Sequence, residues 1–290
     1  MANATYGGQN MHAPLRRVLM RRPDEAFAVD DPAAWHYAHQ PDLAAAQAEH
    51  DGLAEHLRAS GAEVVYADEP QPDRADAIFT FDPALITDAG AIILSMGKDL
   101  RRGEEDAMAR ALGAAGVPVI ARLKGEARAE GGDLLWVDER MLAVGQGYRT
   151  NAEGLRQLDA ELSPMGVEVL PVPLPYFTGP EACLHLLSLI SIVDERLAVV
   201  YLPLLPVPFV QELERRGFTL IEVPEAEFVT MAPNVLAVAP RDCIMLEGNP
   251  ITQARLEAAG CRVRTYHGDN ISLAAEGGPT CLTRPLLRRA

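Results

Sequence analysis

One pattern recurs along this chain and limits what it can fold into. Ala84-Leu85-Ile86-Thr87 and Ala91-Ile92-Ile93-Leu94 flank the polar turn Asp88-Ala89-Gly90. The same pairing of short apolar runs recurs at 134–137 and 141–144, at 190–193 and 197–200, and at 235–238 and 243–246. Each predicts a β-hairpin. A helix-like stretch follows each one: Glu104 to Ala115, Ala152 to Glu161, Pro208 to Arg216 and Thr252 to Ala259. Gly116, Gly166, Gly217 and Gly260 then mark the helix ends, since glycine takes up the left-handed turn that stops a helix. A short apolar strand closes each unit, at 117–120, 167–170, 218–221 and 261–263. A less regular fifth copy opens the chain with Arg17-Val18-Leu19-Met20, a helix over 43–59, Gly61 and a strand over 63–66.

The repeat length, roughly 45–55 residues, belongs to propellers and solenoids. Five ββαβ units without a capping unit predict a closed α/β ring, a five-bladed propeller, spanning 1–290 as one domain. An open α/β sheet is the alternative. The ring accounts better for the chemistry, because an acid, a histidine and a cysteine all fall at junctions between units. In a ring those junctions meet at the centre.

The cysteine is Cys281, set in the turn Gly277-Gly278-Pro279-Thr280-Cys281 rather than in an apolar pattern. Glycine lets the backbone bend sharply and approach a ligand, and proline stiffens the bend. The acid is Glu130 in Glu130-Gly131-Gly132-Asp133, and the histidine is His185. Three such residues far apart in sequence can converge as a base-assisted nucleophile. Cys243 and Cys261 sit in strand-like runs and read as small buried hydrophobes. No pair of the four cysteines, Cys183 included, has the Cys-x-x-Cys spacing of a zinc or redox motif.

A net charge of −15 argues against binding nucleic acid, whose partners are basic. No apolar run is long enough to span a bilayer, and residues 1–10 lack a secretory pattern. The expectation is a cytoplasmic chain acting on a small molecule, with no nucleic-acid or membrane partner and with homodimerisation left open.

Several segments in order carry a resemblance. They are Arg21-Arg22-Pro23, Phe79-Thr80-Phe81-Asp82, Met96-Gly97, Arg101-Arg102-Gly103-Glu104, Glu130-Gly131-Gly132-Asp133, Arg149-Thr150-Asn151, His185-Leu186 and the Cys281 turn. Together the chain resembles the guanidino-group-modifying enzymes of the pentein fold, a five-bladed αβ propeller. It is most similar in look to the dimethylarginine dimethylaminohydrolases, with arginine deiminase character near the C-terminus. The resemblance implies Cys281 as nucleophile, His185 as general acid/base and Glu130 as the acid beside the histidine and the guanidinium. It implies Asp82 as the carboxylate gripping the guanidinium, Arg102 and Arg149 as the pair binding the substrate carboxylate, and Asp76 near the α-ammonium. It implies a covalent thiouronium on Cys281 and no metal or organic cofactor. Asp133 reads as structural.

Three positions depart from the pattern. Phe81 stands where the dimethylarginine enzymes place an acid and the deiminases an arginine. That predicts a phenyl face packing on an alkylated guanidinium. Leu187 replaces the aspartate that deiminases have two residues after the histidine. Glu276 stands five residues before Cys281, where deiminases carry a carboxylate-binding arginine. These departures favour hydrolysis of an N-substituted guanidine over arginine deimination. Amidinotransferases share the core but are longer. A non-catalytic pentein that binds a partner through its rim would not need Cys281, His185 and Glu130 together.

Overall fold

A computed structural model describes residues 5–180, 182 and 184–289. Cys183, with Glu181, lies outside the described residues. The chain runs through β1 (Leu15–Met20), α1 (Leu43–Ala59) and β2 (Glu63–Tyr66). Next come β3 (Ala84–Thr87), β4 (Gly90–Ile93), α2 (Glu104–Ala114) and β5 (Val119–Arg122). The third unit is β6 (Leu134–Asp138), β7 (Met141–Gln146), α3 (Ala152–Leu162) and β8 (Glu168–Pro173). The fourth is β9 (Ile190–Asp194), β10 (Leu197–Val200), α4 (Val207–Arg215) and β11 (Thr219–Glu222). After the short α5 (Glu225–Phe228) come β12 (Leu236–Ala239), β13 (Asp242–Leu246), α6 (Pro250–Ala258) and β14 (Arg262–Tyr266), and finally β15 (Arg284–Arg288).

These strands form five sheets of three. In each, the hairpin is antiparallel and the strand after the helix pairs parallel to its middle strand. Parallel neighbours need a crossover, and the helix supplies it. The expected ββαβ unit is therefore the blade of this fold. The helix stops also behave as read. Gly61, Gly116, Gly166, Gly217 and Gly260 all have positive φ, between 74° and 91°.

The first blade is built from both ends of the chain. β15 pairs antiparallel with β1, which pairs parallel with β2. The sequence reading has no strand at β15. Pro285 hides it, since proline cannot donate to a ladder. The residue is tolerated because β15 lies at the sheet edge. One expected strand is also shifted: β5 begins at Val119, not Val117. The Val117 amide closes the end of α2 by donating to Leu112, and Pro118 has no N–H to give.

The apolar faces of the sheets and helices pack into clusters that join neighbouring blades. The largest spans the third to fifth blades and includes Leu135, Ile192, Val199, Phe209, Ala237 and Met245. Cys243 and Cys261 are buried in it as free thiols, as expected. Among the described residues no helix is long and apolar enough to cross a membrane.

Candidate active site

Each blade places one polar side chain in the same slot, the loop just before its first strand. Asp82 precedes β3, Glu130 precedes β6, His185 precedes β9, Asn234 precedes β12 and Cys281 precedes β15, at two to five residues' distance. Hydrogen bonds link these loops in a circle. The Phe81 amide donates to the Cys281 carbonyl (3.2 Å), and the Gly131 amide to the Asp82 carbonyl (2.9 Å). Glu130 Oε2 meets His185 Nε2 at 2.8 Å, and the Leu186 amide donates to Asp133 Oδ1 at 3.0 Å. The Val235 amide donates to Ser191 Oγ (3.0 Å), and the Thr280 amide to Asn234 Oδ1 (3.1 Å). At their centre is a cavity of about 520 Å³, lined by Asp76, Asp82, Arg149, His185 and Cys281 among others.

Glu130 is the most heavily engaged of these groups. It is fully buried. Oε1 accepts from the amides of Gly97 and Lys98, both at 2.9 Å, and Oε2 accepts from Arg149 Nη1 at 2.9 Å. Burial alone would push its carboxyl up. The Arg149 guanidinium and His185 outweigh that and hold it well below the usual carboxylate range. Glu130 is thus an anion over the whole working range, and it stabilises positive charge on the His185 ring.

Asp133 supports the histidine loop from below, as its structural reading expects. It accepts from Thr150 Oγ1 at 2.6 Å as well as from the Leu186 amide. Burial pushes its carboxyl up to about 6, against the pull of His185 and these two donors.

Several glycines at the site are required by close approach. A Cβ on Gly132 would lie 2.3 Å from His185 Nδ1, and one on Gly277 would lie 2.0 Å from the Phe79 ring. Gly132→Ala should therefore push the imidazole off its position. We expect kcat to fall at least about a hundredfold, the usual cost of misplacing a catalytic group by an ångström. Steady-state kinetics with circular dichroism as a fold control test this. Wild-type kcat would show that the ring has room to move.

Asp82 uses one lone pair of each oxygen. Oδ1 accepts from the Gly132 amide at 2.8 Å and Oδ2 from Arg101 Nη1 at 2.5 Å. A carboxylate has about four acceptor sites, so Asp82 can still receive N–H groups from the cavity. Cys281 is half-buried, with Asn234 Nδ2 3.4 Å from its sulfur. A donor there favours the thiolate.

Two expected site residues lie elsewhere. Arg102 is half exposed, pairs with Asp99 in its own segment at 2.7 Å, and does not line the cavity. Its neighbour Arg101 points inward instead, buried between Asp82 and Glu104. The turn over Asp99–Arg101 ends at Arg102, whose backbone is extended, so the two side chains leave the chain in different directions. Phe81 is not in the cavity either. It belongs to the core, with the Arg284 guanidinium 3.6 Å above its ring. Both residues lie in the turn that leads into β3, which brings Asp82 to the cavity and packs Phe81 into the core. Phe81 therefore makes no contact with the cavity, and its expected contact with substrate is withdrawn.

Asp76 and Arg149 do line the cavity, each already paired. Tyr37 donates its hydroxyl to Asp76 Oδ1 (2.8 Å), and Lys98 Nζ lies 2.6 Å from Oδ2. Lys98, Arg101 and Asn234 went unnoticed in the sequence. For Asn234 a signal existed: it occupies the slot before β12 that carries the site residue in every other blade.

A five-bladed ring with a cysteine, a histidine and carboxylates at its hub defines the class, the guanidino-group-modifying enzymes of the pentein fold. A family model described as N,N dimethylarginine dimethylhydrolase, eukaryotic, matches residues 25–288. An N(G),N(G)-dimethylarginine dimethylaminohydrolase of Streptomyces coelicolor is 30% identical over 67% of this chain and 72% of its own. One of Pseudomonas aeruginosa is 28% identical over 93% of this chain and 98% of its own. The structure of a Pseudomonas aeruginosa enzyme of that kind, a cysteine-to-serine mutant complexed with citrulline, superposes with a TM-score of 0.78. It is 24% identical and covers 93% of this chain and 98% of that one. The chain belongs to the dimethylarginine dimethylaminohydrolase family.

Proposed function

We propose that this chain hydrolyses a guanidino C–N bond of an N-methylated arginine, giving citrulline and a methylated amine. The observation that carries the reading is the convergence of Cys281, His185 and Asp82 from three blade loops on one cavity, with Glu130 from a fourth held against His185. The methylated substrate is that named for the relatives.

The chemistry follows from the residues. A guanidinium is planar, permanently charged and rich in donors. Carboxylates bind it well, and Asp82 supplies one at the cavity wall. Its carbon is a poor electrophile, so a thiolate is the side chain suited to attack it. The Cys281 sulfur adds to that carbon. As the tetrahedral adduct collapses, the C–N bond breaks and the His185 imidazolium protonates the departing amine. This leaves an S-alkyl thiouronium on Cys281. The neutral imidazole then takes a proton from water as the oxygen adds to the same carbon. The C–S bond breaks, the ureido product leaves and the thiolate returns. Glu130 holds the ring in place and favours its charged form through both half-reactions.

The test is to incubate the enzyme with dimethylarginine, monomethylarginine and arginine, and to measure ureido product and released amine. Equal amounts of citrulline and methylated amine are expected. Ammonia release from arginine at a higher kcat/KM than either methylated substrate would make it a deiminase. No ureido product from any of them would overturn the reading.

A further inference from the structure

Among the described residues, the carboxylates and cations around the cavity are matched with one exception. Lys98 pairs with Asp76 at 2.6 Å, Arg101 with Asp82 at 2.5 Å and Glu104 at 2.7 Å, and Arg149 with Glu130 at 2.9 Å. So each of these three cations already has a carboxylate, and Arg102, the other half of the expected clamp for a substrate carboxylate, is outside. Asp76, the residue that the resemblance sets beside an α-ammonium, has one oxygen on Lys98 and the other on Tyr37. Glu276 is the exception. It lines the same cavity, and among the described residues it makes no hydrogen bond or ion pair.

Its backbone points the same way. Glu276 has φ 57°, a left-handed conformation that costs a residue other than glycine. Such strain is kept where a side chain must be aimed. The turn that aims it is rigid, because Gly277 is packed against the Phe79 ring and Gly278 against the Asn234 side chain. Loss of surrounding water raises the Glu276 carboxyl, against the opposing pull of Lys98, Arg149 and His36. A bound cation would relieve that cost.

We propose that Glu276 is the specificity-determining residue for the end of the substrate opposite the guanidinium, where it receives an ammonium group. The enzyme then selects its guanidino substrate by the amine and not by the carboxylate. The inference rests on the hydrolase reading above. It is distinct from it, because a guanidine hydrolase could equally read the carboxylate.

Three substrates separate the cases: dimethylarginine, its deaminated analogue, which keeps the carboxylate, and its decarboxylated analogue, which keeps the ammonium. Wild type should prefer dimethylarginine to the deaminated analogue by at least about tenfold in kcat/KM, one charge-assisted contact's worth. The decarboxylated analogue should stay within about tenfold of the parent. Glu276→Gln should lose most of the preference through KM, with kcat little changed. Glu276→Asn, which accepts the left-handed backbone more readily, should behave alike and guards against a folding defect, checked by thermal melting. Turnover of all three with no preference in wild type, or an unchanged preference in both variants, overturns the role of Glu276 and leaves the hydrolase standing. A decarboxylated analogue that loses more than the deaminated one shows a carboxylate-reading site and also overturns it. Failure of wild type to form ureido product from any of the three sinks the hydrolase reading and the inference with it.

Discussion

Cys281→Ser should lower kcat at least about a thousandfold while leaving the fold unchanged. The reaction asks for an anionic nucleophile at a carbon whose charge is already delocalised. A thiol with an ordinary pKa of about 8.5 reaches its anion near neutrality beside a donor or a cation, and a serine hydroxyl does not. The fold should hold because serine is nearly the same size and shape as cysteine in this half-buried turn. The sulfur's contact with Asn234 Nδ2 at 3.4 Å is one that a serine oxygen can also accept. Three measurements decide the matter: kcat, the melting temperature and the mass of the Cys281 peptide after acid quench. Wild type should show a covalent increment during turnover and the variant none. More than about a tenth of wild-type kcat in the variant would remove Cys281 from the nucleophile's role.

Much of this architecture is legible in the sequence because it is repeated. A hairpin, helix, glycine and strand recurring at one spacing leave few alternatives, and α1 begins and ends where the pattern puts it, at Leu43 and Ala59. What was illegible lies where a single residue overrides the pattern. Pro285 conceals β15, and with it the fact that the last strand closes the first blade. At the site, residues fixed by glycine turns could be located, since Glu130 and Cys281 stand beside glycines that admit close contact. Residues judged by proximity to a motif could not. Phe81 and Arg102 each sit one position from a side chain that does face the cavity, Asp82 and Arg101. A shift of one residue is enough to change the direction of a side chain, and sequence spacing alone does not say which of two neighbours faces in. Phe81 instead serves the fold. Its ring lies under Arg284, a fully buried guanidinium whose pKa burial pulls down to about 9 against the attraction of Asp82.

Glu130→Gln should cost the protein both rate and stability, and the two losses have one origin. The carboxylate accepts from four groups at once: the amides of Gly97 and Lys98 on one oxygen, Arg149 and His185 on the other. An amide has one acceptor oxygen. If that oxygen stays with the backbone amides, its NH2 group confronts Arg149 and His185. If it turns to them, the NH2 group confronts two backbone N–H groups. Either way buried donors face donors, and Arg149 loses its counter-charge. Breaking a buried ion pair from one side costs about 3–5 kcal/mol. In a chain of this size that corresponds to a fall in Tm of roughly 5–8 °C. The acid side of the stability profile should change as well. A carboxyl held below its ordinary range stabilises the fold above that range, and the stabilisation is lost as pH falls through the folded value. Wild type should therefore lose stability on acidification through Glu130, and the variant should lack that contribution. Asp133, raised to about 6, acts in the opposite sense, costing stability as pH climbs from about 4 to 6. Removing Glu130 should leave that branch in place. The rate loss follows from the histidine, which without an anion at 2.8 Å is neither oriented nor supported in its charged form. A fall in kcat of about a hundred- to ten-thousandfold is the range for losing acid/base assistance. It should be measured well below the lowered Tm, so that unfolding does not contribute. If Glu130→Gln keeps its Tm and more than a tenth of wild-type kcat there, the carboxylate neither anchors the cavity nor tunes His185.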